Sequence, residues 1–338
     1  MFRKIYSANE FVTFIIILLI SIFIGLINPA FFSIASIFDV LRSSIVYIIL
    51  ALGLLPVMIV GGIDISFVAI GALSAYSTHM LLINNGYEGG VFLYYIIACS
   101  IGIIASFLNS ILTTKFNLNI FNVSLALYIM WFGFVRFFVG SKRSATFPEG
   151  ASNFYSKFLL TVKDPFVGNS NLHISILFVV IIGLVLMLIL RYTTFGRGIY
   201  AIGGDRDVAL RTGFKVNRIL TGSFIIMGGL AAFAGITHSF LIRLFDPTMF
   251  LGDELDVIAA VVLGGASING GRGSVIGTFM GVIVIQLIHR SIILIGIPVT
   301  WQDFIVGFIL IIFISIPYLK TIIKEKLVDK KVAHEETK

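Results

Sequence analysis

Charge is what this chain has least of: only 12% of its 338 residues are Asp, Glu, Lys or Arg, while 58% are apolar. So few polar groups cannot cover the surface of a water-soluble domain of this length, so the chain belongs in lipid. Cysteine is nearly absent too. Cys99 stands alone, which excludes a disulfide framework or a cysteine-rich metal site, and its place inside an apolar run points to packing. Carboxylates avoid the apolar runs: of 17 acidic residues, only Asp64 and Asp256 lie close enough to be argued as membrane groups. Proton-driven pumps commonly use buried Asp, Glu or His relays, and with His79 and His238 isolated no such relay assembles. Sodium coupling through backbone carbonyls leaves no charged signature and stays open. The Gly-x-x-x-x-Gly-Lys-Ser/Thr phosphate cradle is missing, down to the Gly-Lys dipeptide, so any ATP that drives this chain is bound by another polypeptide. Nor do the few polar groups form a Ser-His-Asp, paired-carboxylate or His/Cys metal constellation, which argues against an enzyme and against a cofactor held on this chain.

What is present is a series of apolar runs long enough to cross hydrocarbon as helices, each satisfying its own backbone. Ten are read, at residues 11–27, 44–61, 67–83, 91–113, 121–140, 173–191, 219–243, 254–266, 275–290 and 302–318, giving an all-α polytopic membrane protein. The first follows Arg3 and Lys4 in the manner of a signal peptide, but nine further runs favour its retention. The eighth has only 13 residues, about 20 Å as a helix, so it is a half-span or a helix shielded by its neighbours. With the amino terminus placed in the cytoplasm, sixteen Lys and Arg residues fall on the inside and seven on the outside. That bias obeys the positive-inside rule and returns both termini of a multi-pass protein to the cytoplasm. The net charge of +7 thus reports topology rather than nucleic-acid binding. The resulting division is a cytoplasmic amino terminus (1–10), a transmembrane domain (11–318) with a polar external loop (141–172) and a basic cytoplasmic loop (192–218), and a cytoplasmic tail (319–338).

Three stretches carry chemistry. Gly203 to Gly213 reads as a short helix between glycines: Asp205 caps its first turn, Asp207 suits its positive end, Arg211 its negative end, and Gly213 the left-handed stop. Such a helix is unstable alone, so it is either a lever docked in a partner or a capped loop that only sets topology. Glu254 to Thr278 reads as an acid-started short helix ending at Gly264-Gly265, a turn through Asn269-Gly270-Gly271, and a restart after Ser274. Broken helices at membrane depth must be buried or line a cavity, so this is a pore wall or gate, or else a close-packed re-entrant hairpin. Gly61 to Ser66 ends one helix, and Asp64 or Ser66 caps the next at the water boundary, with a substrate-ligand role for Asp64 as the alternative.

In this order and spacing the three stretches resemble the permease family of bacterial ribose, xylose, arabinose and galactoside ABC importers, over roughly residues 40–318. Leu255 to Thr278 looks like that family's Leu-Asp-x-Ile-Ala-Ala-Val-Val-x-Gly-Gly turn and Gly-Gly-Arg-Gly-Ser restart. Asp207, Val208, Ala209 and Gly213 stand at the positions of its Glu-Ala-Ala...Gly motif, with Asp for Glu and Val for Ala. Gly61 to Ser66 is similar to its Gly-Ile-Asp-Leu-Ser-Val-Gly segment, with Ile65 for Leu and then Phe67 and Val68 where Val and Gly are usual. Asn109, Phe121 and Ser124 match its Asn-Gly and Phe-x-x-Thr-Leu positions, although Ser110 replaces the glycine. The resemblance implies two permease subunits, identical or paired with a relative, around a central path. ATPase subunits would contact Asp207, Val208, Ala209 and Gly213, and an external binding protein would deliver a small sugar to the outer face. Asp64, Asn109, Ser124, Gly264, Gly265 and Asn269 become the pore or gate candidates, Asn109 and Ser124 being equally readable as interhelical hydrogen-bond partners. Related cargoes (nucleosides, branched-chain amino acids, a sugar-like quorum signal) and a stand-alone ion-coupled carrier are the alternatives.

Overall fold

The computed structural model describes residues 8–164, 168–296, 298–302, 304–308 and 311. The expected tail, most of the 302–318 run and the first seven residues lie outside them. The described chain is built of helices: α1 (Ala8–Ile27), α2 (Ile34–Val60), α3 (Phe67–Asn84), α4 (Val91–Thr114), α5 (Ile120–Phe134), α6 (Glu149–Ser152), α7 (Ile176–Tyr192), α8 (Thr194–Gly204), α9 (Arg206–Arg211), α10 (Val216–Ile242), α11 (Glu254–Leu263) and α12 (Val275–Ile295). Seven of these are long and apolar enough to cross a membrane, or eight if α7 and α8, bent by 72° at their junction, are one span. The eighth run forms only a half-span, as its length leads one to expect: α11 is ten residues long, about 15 Å.

Apolar pattern sets position. Every residue of α2 from Ser44 to Val60 is buried except Tyr47, as befits a helix apolar on all sides and therefore enclosed by protein. Pro56 sits inside it, where a missing amide is tolerated because neighbouring helices surround the freed carbonyl. In contrast α1, α5 and α7 leave Leu19, Phe23, Ile129, Val180 and Leu184 exposed, in the position of lipid-facing side chains. The long helix α10 lies against α3 and α4 with backbones almost touching: a Cβ on Gly228 would fall 2.3 Å from the Gly102 carbonyl oxygen, and one on Gly235 would fall 2.4 Å from that of Gly71. Small residues bring helices this close because, within lipid, dispersion and close packing replace the hydrophobic drive.

Three features depart from expectation. The fold is not all-α as expected: within the 141–172 loop β1 (Phe158–Asp164) pairs antiparallel with β2 (Gly168–His173), and Ser170 Oγ donates to the Ala35 carbonyl at the start of α2. The short helix between Gly204 and Gly213 forms as read, but the glycines before it close a further helix, α8, that the sequence reading does not include. Asp64 does not stand at a water boundary. It is fully buried, since the Gly61–Ser66 connection is covered by α4.

Candidate functional site

Three cytoplasmic connections of the expected topology meet in space. α2 ends at Gly61 in the left-handed region (φ 98°), and the amide of Gly271, from the turn after α11, donates to the Ile59 carbonyl at 2.8 Å. The Tyr200 hydroxyl of α8 donates to the Gly273 carbonyl at 2.8 Å, holding α8 against the same turn. Within that turn Ser267 N–H donates to the Arg272 carbonyl, and Asn269 is exposed at its tip. Gly264 is buried against α12, a Cβ there falling 2.3 Å from the Gly277 carbonyl oxygen, and Gly265 takes φ 93° to start the turn.

Beyond this junction α9 projects from the body. Asp205 Oδ1 accepts from the amides of Asp207 and Val208 at 2.9 Å each, and Gly213 adopts φ 89° to end the element. Only Ala209 of α9 is buried; Asp207 is exposed, and Val208 and Leu210 expose more than half their surface. A six-residue helix with two bare apolar side chains and an acid beside them is poorly explained as a solvated loop, since folding gains nothing from leaving them in water.

At the other end of α11 lies a group that the sequence reading did not assemble. Tyr47 lies thirteen residues from either end of α2, that is, at mid-span, and its hydroxyl donates to Asp253 Oδ2 at 3.1 Å. Tyr128 of α5 donates to Glu254 Oε1 at 3.3 Å, and Asp256 meets His289 of α12 at 3.3 Å. These carboxylates suit the positive end of α11. Its other end is sealed by protein, with Thr13 Oγ1 of α1 donating to the Leu263 carbonyl at 2.8 Å. The acidic end is only partly covered, and Leu251 and Leu255 beside it are exposed. Carboxylates at mid-membrane depth face a bundle interior or a water-filled passage, not acyl chains. The signal for this group was faint but present: Tyr47 and Tyr128 are polar-tipped aromatics in the middle of apolar runs.

The remaining expected residues lie elsewhere. Asp64 Oδ1 accepts from the Ser66 amide and hydroxyl at 2.6 Å, and Asn109 Nδ2 reaches Asp64 Oδ2 at 2.9 Å and Ser66 Oγ at 2.6 Å. Asp64, Ser66 and Asn109 thus form one buried cluster joining the α2–α3 connection to α4. Ser124 is buried, its hydroxyl on the Phe121 carbonyl. Cys99 is half-buried, its Sγ 3.6 Å from the Gly229 carbonyl oxygen. In the second half of α3 His79 stacks on Phe245 at 4.0 Å and bonds Ser144 Oγ at 2.8 Å, while Arg143 pairs with Asp246 at 2.6 Å. Burial pushes the Asp246 carboxyl up, but bonds from Thr248 and the Arg143 guanidinium outweigh it and hold the group below its ordinary value. Among the described residues no group of three or more His, Cys, Asp or Glu is arranged to hold a metal ion.

Residues 36–314 match the family described as branched-chain amino acid transport system / permease component. The chain is 32% identical over 310 residues to the autoinducer 2 import system permease protein of Enterobacter sp. (strain 638), covering 91% of this chain and 86% of that one. It is 30% identical over 310 residues to the ribose import permease protein of Bacillus subtilis (strain 168), covering 91% of each. It is 29% identical over 319 residues to the galactose/methyl galactoside import permease protein of Haemophilus influenzae, covering 91% and 93%. No solved structure matches the chain.

Proposed function

From the premise that this chain belongs to the branched-chain amino acid transport system / permease component family, and is a multi-pass permease subunit of an ATP-binding-cassette importer, we propose that its cargo is a small neutral sugar or a sugar-like polyol. The observation that carries the cargo is the pair of tyrosine–carboxylate contacts at mid-span, Tyr47 with Asp253 and Tyr128 with Glu254. Carboxylates accept from adjacent hydroxyls of a polyol and aromatic faces pack against its C–H surface, whereas an anionic solute meets repulsion there. The relatives named for ribose, galactoside and autoinducer 2 import agree with this chemistry.

In this reading ten spans place both termini in the cytoplasm, the 302–318 run supplying the last, and residues 11–318 form the permease domain. Two permease subunits, alike or paired with a relative, enclose the path. ATP is hydrolysed on separate ATPase chains that seat α9, with Asp207, Val208 and Ala209 at the contact and Gly213 ending it. A binding protein docks outside, where the 141–172 loop and its hairpin lie. Gly264, Gly265 and Asn269 belong to the hinge of the half-helix α11, while Asp64 and Asn109 brace the helix ends beside it. The chain itself carries no cofactor.

The test is reconstitution into liposomes with an ATP-binding-cassette ATPase and an external sugar-binding protein from the same organism. ATP-dependent uptake of a neutral monosaccharide or polyol, absent when the ATPase is left out, is the expected result. Accumulation by the chain alone would mark an ion-coupled carrier, and uptake restricted to branched-chain amino acids would overturn the cargo.

A further inference from the structure

We infer that Gly203 is a positioning residue for transport: it joins the end of α8, backbone to backbone, to the end of α2 and to the turn after α11, so that displacement of α9 moves the half-helix with it. This rests on the importer reading above, and it assigns the route by which force from α9 reaches the membrane interior.

The geometry leaves almost no slack at this point. A Cβ on Gly203 would fall 1.8 Å from the Ile59 carbonyl oxygen and 2.4 Å from the Gly271 amide nitrogen. From the other side, a Cβ on Gly270 would fall 2.8 Å from Gly61 Cα and 2.9 Å from the Gly203 carbonyl oxygen. The Gly271 N–H to Ile59 carbonyl bond and the Tyr200 hydroxyl to Gly273 carbonyl bond close the same junction. Side chains can absorb a push by changing rotamer, but three backbones in contact have no rotamers to change. Asp205 alone separates α8 from α9, and its side chain is committed to capping α9. A shift imposed on Val208 and Leu210 therefore arrives at Gly203 two short steps away. From there it passes to the Gly264–Ser274 turn and along α11, whose far end carries Asp253 and Glu254. Gly204 supplies an internal control. It is the next residue and also a glycine, yet nothing lies within 4 Å of a Cβ placed on it.

The experiment uses the whole importer in nanodiscs with Cys99 replaced by serine. Spin labels at Arg211 and Arg272, both exposed, report the distance from α9 to the turn, and a second pair at Lys115 and Arg272 reports the turn against the inner end of α4. Between nucleotide-free and ATP-trapped states the first distance is expected to hold and the second to change. A first distance that changes while the second holds means the junction is a static anchor, and the inference is wrong. Gly203→Ala is expected to keep the ATPase bound and hydrolysing while uptake is lost, and Gly204→Ala to match wild type. Normal uptake by Gly203→Ala overturns the assignment, and if that variant does not assemble, the label pairs on the native glycine decide. Failure of the wild-type chain to bind any ATPase would instead sink the importer reading, an outcome visible before any variant is made.

Discussion

Asp64 offers a direct test of whether a residue in a functional-looking motif acts on substrate or on structure. Its carboxylate accepts from the Ser66 amide and hydroxyl and from Asn109 Nδ2, with all three residues essentially without solvent access. Asp64→Ala leaves two buried N–H groups, on Ser66 and Asn109, without that acceptor; at about 1–3 kcal/mol each the loss is about 2–6 kcal/mol. Asp64→Asn should be far milder. Its carbonyl keeps the Ser66 bonds, its NH2 group faces Asn109, and the Asn109 Oδ1 atom has no partner in the wild-type structure. Rotating the Asn109 amide by half a turn converts a donor–donor clash into a bond, leaving a net cost of about one hydrogen bond, roughly 0.5–1.5 kcal/mol. Thermal unfolding in detergent, followed by the fraction remaining monodisperse after heating, should rank wild type above Asn and Asn well above Ala. Equal damage by both substitutions would refute the hydrogen-bond argument. Wild-type stability of the alanine variant with an altered KM for uptake would return Asp64 to the list of substrate ligands.

Gly213→Pro should insert normally but lose uptake, because proline holds φ near −65° and the native angle is 89°; membrane fractionation beside an uptake assay checks both halves. Val208→Asp should reduce the ATPase that copurifies with little loss of thermal stability, since more than half of the side chain is exposed. The hairpin base should loosen in acid. The Ser175 amide donates to His173 Nδ1, so the ring proton sits on Nε2 facing the Phe154 carbonyl, and the ring is neutral. Burial lowers the His173 pKa and Arg42 lowers it further, against the pull of Phe154. A base so depressed contributes stability that is complete above the ordinary histidine value and is lost as pH falls below it toward the folded value. Hydrogen-exchange protection factors across residues 154–164 and 168–175 should therefore fall as pH drops from about 7.5 to 5.5.

Local chemistry was legible, and contacts across the chain were not. The capping of α9 by Asp205 and its stop at Gly213 are decided within nine residues, and the sequence reading states both correctly. α8 was missed because Thr-Phe-Gly-Arg-Gly-Ile-Tyr-Ala-Ile-Gly-Gly is glycine-rich and reads as loop by propensity. Two of its glycines let the helix touch its neighbours: a Cβ on Gly198 would fall 2.4 Å from Ile219 Cδ1, and one on Gly203 would strike the Ile59 carbonyl. Asp64 was placed at the water boundary because a short polar connection ordinarily lies there; the residue that buries it, Asn109, is 45 positions away. The acids opening α11 were recognised as complementing a helix start. Tyr47 and Tyr128 stand out locally as polar-tipped aromatics, but their pairing with acids 206 and 126 positions away follows from no local pattern.

Glu254 carries the strongest consequence for cargo. Among the described residues it enters no ion pair; its carboxylate accepts from the Tyr128 hydroxyl and the Gly252 amide. A solute carrying a carboxylate that passed about 4 Å from it would meet roughly 4 kcal/mol of repulsion at an effective dielectric near 20. Since about 1.4 kcal/mol is tenfold in rate, that is a discrimination of up to about a thousandfold against the anion over a neutral solute of the same shape. Glu254→Gln removes the charge while keeping an acceptor for Tyr128, so the ratio of hexose to uronate exchange through the reconstituted complex should collapse by orders of magnitude, chiefly through faster uronate passage. Tyr128→Phe, which removes only the hydroxyl, should leave the ratio high. If the ratio stays at its wild-type value in Glu254→Gln, the carboxylate does not face the path, and the mid-span acids must be assigned to helix capping alone.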